Sequence, residues 1–108
     1  MNNKGILQMA NALLSIQMIP KTNNGESVIP YVDQAIAVIK QSGLPYRVAP
    51  LETTMEGDLS ELLQVVQRMH EVMIEVGCPG ALSQIKISYN PIAGASMDKL
   101  LEKYPDGK

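Results

Sequence analysis

Gln17 and Gln84 sit in the middle of the strand-like runs ALLSIQMI and ALSQIKISY. A mid-strand glutamine costs free energy if it is buried without a partner. Its amide both donates and accepts at one edge, so it matches a planar heterocycle with a ring nitrogen beside an amino group. Glu56 precedes Gly57 and a helix start. It reads either as a charge favourable to the helix dipole or as an acceptor facing a ligand's amino group or positive charge. Thr53 and Thr54 favour strands intrinsically and say little alone. Lys86 fits a solvated strand position better than a site. His70 has Val66 and Met73 at helical spacing, which places it at the edge of a helix interface. No Ser/His/Asp or Cys/His arrangement points to nucleophilic catalysis. The GDLSE stretch lacks the glycine and lysine spacing of a phosphate loop. Cys78, just before Pro79, reads as a small packing residue.

The chain that must position these residues has 108 of them, with 9 Lys+Arg, 11 Asp+Glu and a net charge of −2. That length predicts one domain with one core. The hydrophobic fraction of 45% is that of a folded globule. A slight negative charge argues against a nucleic-acid partner, which requires a Lys/Arg excess. One Cys and one His exclude an internal disulfide and argue against structural zinc. No metal and no catalytic cofactor is expected. Trp and Phe are absent, so any stacking must use Tyr. Residues 1–11 read as a flexible leader, 12–104 as the domain and 105–108 as a tail. The leader is too short and too polar to span a bilayer and has no cleavage site. A cytoplasmic protein without a membrane partner is the expectation.

Hydropathy periods give the elements. Ala12, Leu14, Ile16 and Met18 alternate with the more polar Leu13, Ser15, Gln17 and Ile19, which predicts a strand. Pro20 is expected to stop it. Ser27, with Pro30 in the first turn, opens a helix that carries Val32, Ala35, Ile36 and Ile39 on one side. Gly43 and Pro45 close it. Short strands follow at 46–49 and 53–56. Asp58, with Glu61 three residues on, starts the strongest helix, whose apolar positions run from Leu59 to Val76. Gly77 and Pro79 end that helix. Residues 81–89 form the last strand, and Met97 to Tyr104 make a short terminal helix. The helices end SGLPYRV and VGCPGAL, so the two halves echo each other.

Two right-handed βαβ-type units give an α+β, ferredoxin-like βαββαβ sandwich. It has a four-stranded antiparallel sheet in order 4-1-3-2, two helices on one face and a short C-terminal helix. Leu14, Ile16, Met18, Ile85 and Ile87 are assigned to the helix side. The open side then receives Leu13, Ser15, Gln17, Ile19, Leu82, Gln84, Lys86 and Ser88, with Thr54 and Glu56 if Met55 points inward. A surface half apolar and half hydrogen-bonding reads as an interface or a ligand floor. The alternative is a solvated sheet face. Small cores are marginal, so burial of that face on another copy is favoured.

The ordered set ALLSIQMIP, IKQSGLPYRV, PLETTMEGDLSELL and GCPGALSQIKI resembles the small thiamine-binding (YkoF-like) protein family over about residues 12–104. The resemblance implies dimers or tetramers joined through sheet faces or edges. It implies non-catalytic binding of thiamine or its hydroxymethylpyrimidine part in a carrier, sequestering or sensing role. Under it Glu56 accepts from the ligand's amino group or balances the thiazolium, and Gln17 supplies a donor–acceptor pair. Ser15, Thr53, Thr54 and Ser88 add neutral hydrogen bonds, although Thr53 and Thr54 cannot face one side of a regular strand. Tyr46 stacks on or covers the ring, with Tyr31 and Tyr89 as other aromatic choices. The competing reading is an oligomeric interaction protein whose open face makes only subunit contacts. An enzyme acting on pyrimidine or thiamine precursors is disfavoured, because no general base has an orienting partner.

Overall fold

The structure, a computed structural model, describes residues 9–104. The chain runs β1 (Ala12–Lys21), α1 (Ile29–Ser42), β2 (Tyr46–Val48), β3 (Thr53–Gly57), α2 (Leu59–Glu75), β4 (Gly80–Tyr89) and α3 (Met97–Leu101). The sheet order is β2-β3-β1-β4 with every pairing antiparallel. This is the expected ferredoxin-like order read from the other edge. No helix among the described residues is long and apolar enough to cross a membrane.

The two long helices form where apolar residues recur every three to four positions. Ala35 and Ile39 of α1 are buried, as are Leu62, Val65, Val66, Met69 and Met73 of α2. They close on Leu14 and Ile16 of β1 and Met55 of β3 to make one core. Gly43 ends α1 at φ +78°, a left-handed conformation that a side chain disfavours. Gly57 answers a different need. A Cβ there would stand 3.3 Å from the Leu44 methyls, so glycine lets the α1–β2 connection lie close to β3.

Two local expectations change. Strand β1 does not stop before Pro20 but continues to Lys21, pairing with β4 throughout. Its pairing with β3 ends at Ile16, so Pro20 lies where β1 has one neighbour, an edge-like position that tolerates a missing N–H. Second, the α2 N-terminus is served from a distance, because the Leu59 amide donates to Asn11 Oδ1 at 2.9 Å. Ala10 and Asn11, expected in the leader, are tied to the domain. Their carbonyls accept from Ala95 (2.9 Å) and Asn90 (2.7 Å), while residues 1–8 and the tail at 105–108 lie outside the described residues.

The helices cover the inner strands and reach β4 only near Ala81 and Ser83, which leaves its later residues open. Register places Ile87 opposite Leu14 and Ile85 opposite Ile16, on the helix side as assigned. Yet Ile87 is 46% exposed and Ile85 39%, while Leu14 is 0%. His70 borders this region as expected for the rim of the helix layer. Its Nδ1 lies 2.7 Å from the Val66 carbonyl oxygen and its Nε2 3.0 Å from Ser83 Oγ.

Candidate functional site

Strand register sorts the candidate residues into two places. Pairing sets Ser15 beside Thr54 and Lys86, and Leu13 beside Glu56 and Ser88, with Gln17 beside Gln84. Met55 is fully buried, so Thr54 and Glu56 face the open side. Ser15, Gln17, Thr54, Glu56 and Ser88 therefore share that surface. Ser15 Oγ and Thr54 Oγ1 lie 2.6 Å apart and bond each other. The Ser88 hydroxyl accepts from Asn90 Nδ2 at 3.0 Å.

Glu56 has a partner that the sequence did not suggest. Its Oε1 accepts from the Met97 amide at 2.8 Å. That bond holds the start of α3 against the open face, while Ser96 caps the helix itself by accepting from the Lys99 amide at 3.2 Å. The segment leading into α3 lies over Leu13, which is only 8% exposed despite its open-side position. One end of the open face is thus covered by the chain itself.

Thr53 and Tyr46 fall on the helix side. Register pairs Tyr46 with Met55 at the β2 edge, where the ring is partly exposed. Thr53 is the one buried polar residue among the described residues. It lines a cleft of about 180 Å³ between α1, β1 and the connection from β2 to β3. Val32 and Ile36 of α1 form one wall, and Val48, Pro50 and Leu51 the other. Gln17 borders the same cleft, because β1 loses its β3 neighbour just after Ile16 and the sheet opens there.

Glu52 is the only charged residue in that lining. It immediately precedes β3, one step beyond the Ile16–Thr53 pair. Sequence reasoning passed over it, since a carboxylate in the short PLE stretch carries no pattern. Its Oε2 meets Lys86 Nζ at 3.2 Å. A cleft with apolar walls and one carboxylate favours a flat ligand that carries positive charge. The amide of Gln17 and the hydroxyl of Thr53 supply neutral donors and acceptors.

None of the three candidate stacking tyrosines, Tyr31, Tyr46 and Tyr89, lines the cleft, whose apolar walls are aliphatic. Tyr31 is occupied elsewhere, donating from its hydroxyl to Glu26 Oε2 at 3.1 Å. Partial burial, aided by that carboxylate, holds its hydroxyl above the usual tyrosine range.

The comparisons with known proteins agree on the chain as a whole. The family model described as thiamine-binding protein matches residues 14–105. A UPF0045 protein of Clostridium perfringens is 35% identical over 91 residues, covering 84% of this chain and 94% of that protein. Among solved structures, a domain of unknown function, DUF77, from Bacillus cereus superposes with a TM-score of 0.83 at 36% identity. That match covers 91% of this chain and 93% of the other. A candidate thiamine biosynthesis/salvage protein from Thermotoga maritima superposes with a TM-score of 0.77 at 26% identity, over 87% of this chain and 98% of its own.

Proposed function

The chain belongs to the thiamine-binding protein family, and from that premise we propose that it binds thiamine, or the hydroxymethylpyrimidine part of it, in the α1/β2–β3 cleft. One observation carries the reading: Glu52 is the single charge in an otherwise neutral, mostly aliphatic lining. Thiamine joins a flat aminopyrimidine to a permanently charged thiazolium. The aminopyrimidine enters toward Thr53 and Gln17, where a hydroxyl and an amide meet its amino group and ring nitrogen. The thiazolium stays near the mouth beside Glu52. The aliphatic walls gain from apolar contact with both rings.

The role is binding without turnover, as a carrier, sequestering or sensing protein. The cleft lining contains no Cys, His or Lys, so it offers neither a thiol nucleophile nor an imidazole base. A second copy completes the assembly by covering β4. The strand leaves one edge unpaired in the protomer and exposes Leu82 (57%), Ile87 and Tyr89 (54%). Long apolar edges of this kind are normally paired or protected.

Titration calorimetry with thiamine and with hydroxymethylpyrimidine tests the reading, alongside light scattering on the same sample. Saturable binding of one ligand per protomer in a dimer or tetramer supports it. Absence of heat with both ligands, with no rise in melting temperature at high ligand concentration, overturns it. An assembled but ligand-indifferent protein is then an interaction module.

A further inference from the structure

We propose that Lys86 is a built-in competitor for the Glu52 carboxylate, setting how far the cleft favours a cationic ligand over a neutral one of the same shape. The inference rests on the cleft reading given under Proposed function and adds to it the residue that tunes charge selectivity.

The two residues belong to different parts of the fold. Lys86 lies on β4 opposite Ser15, and Glu52 precedes β3 on the other side of β1. Their 3.2 Å contact therefore passes over the central strand. It joins the cleft to a shallow hollow at the β4 edge that Glu52 and Lys86 line together with Gln84 and Ile85. The pair is asymmetric, because the Lys86 side chain is 75% exposed and that of Glu52 35%. The lysine side chain is largely hydrated while the glutamate side chain is about two-thirds covered.

That asymmetry decides the outcome of competition. Reaching across a strand orders a long, flexible side chain, and an ion pair with one well-solvated partner is weak. A ligand cation arriving from the cleft side approaches the same carboxylate through a less polar environment, where the attraction is stronger. Lys86 has either to move away or to remain as a like charge near the incoming cation. A neutral pyrimidine meets neither obstacle. The lysine thus lowers affinity for the charged ligand selectively and lessens the discrimination that Glu52 alone would impose.

The test compares the dissociation constants of thiamine and uncharged hydroxymethylpyrimidine, at mildly alkaline pH and one ionic strength, for the full chain and for Lys86→Gln and Lys86→Arg. In Lys86→Gln thiamine should bind about two- to five-fold more tightly, the scale of one exposed ion pair, with the pyrimidine unchanged. Lys86→Arg should keep the ratio of the unaltered chain. Equal tightening of both ligands, or no change in either, overturns the inference while the binding reading stands. A changed assembly mass with an unchanged ratio assigns Lys86 to subunit contact and also overturns it. Failure of the unaltered chain to bind either compound overturns the cleft reading and the inference with it.

Discussion

Strands β1 and β4 are ten residues long and paired residue for residue, from Ala12 with Tyr89 to Lys21 with Gly80. Both place aliphatic side chains toward the helices at alternate positions. Leu14 and Ile16 of β1 are sealed; their direct partners in β4, Ile87 and Ile85, stand open to solvent. The difference lies in neighbours. β1 has a strand on each side and helices above it, whereas β4 has a strand on one side only. Alternation in a sequence therefore reports which face a residue takes, while depth is set by what the rest of the chain lays over that face.

The largest expected effect breaks the pair apart. Leu14→Ala should cost about 2–5 kcal/mol, as for a fully buried leucine, read from urea unfolding. In an isolated protomer, Ile87→Ala opposite it should cost less than about 1 kcal/mol, since much of its surface is already hydrated. If the loss at Ile87 approaches that at Leu14 and depends on protein concentration, a second copy seals β4 and the contrast belongs to the protomer alone.

A smaller effect sharpens the distinction between the open edge and the cleft. Glu52→Gln removes the cleft's charge and should weaken thiamine binding about ten-fold, the loss of one charge-assisted contact, with the melting temperature of the free protein little altered. Glu56→Ala should do the reverse. It releases the Met97 amide at a cost of about 1 kcal/mol, seen as faster hydrogen exchange across the residues around α3, with thiamine affinity unchanged. A joint loss of affinity would bring the open face into the binding site.

The smallest effect lies off the sheet and serves as its control. Arg68 donates to Glu75 at 2.7 and 3.1 Å. Those hydrogen bonds, with the arginine's charge, hold the Glu75 carboxyl below the usual glutamate range. A lowered folded pKa stabilises above the unfolded value, and the contribution disappears as pH falls through the folded value. Both side chains are about half exposed, so Glu75→Gln should lower stability only slightly at neutral pH and leave the acid end unchanged, which flattens the acid side of the stability–pH curve.

The fold was legible because its signals are local. The 3–4 spacing from Leu59 onward, the Gly-x-Pro helix stops and the two-residue period of ALLSIQMI each report a backbone state without knowledge of the rest. Met55 pointing inward was enough to put Thr54 and Glu56 on the side of Ser15, Gln17 and Ser88. The site was less legible because it depends on register. Glu52 gains meaning only when Thr53 is known to sit opposite Ile16, and nothing in the two strands' own residues announces that alignment. The same holds for Asn11, whose side chain meets an amide 48 residues away. Pro20 misled because its effect depends on whether a neighbouring strand needs its missing N–H.

The pairing of the first strand with the last also sets an order of events during synthesis. β1 leaves the ribosome first, yet the strand that matches it along its whole length ends at Tyr89. Most of the polypeptide must be made before that central strand can close both its edges. Until then an aliphatic, unsatisfied segment is held in waiting, open to capture by chaperones or by sister chains. A permuted order in which β4 directly precedes β1 would bring the two strands out in succession, and nascent protomers would shed that exposure sooner.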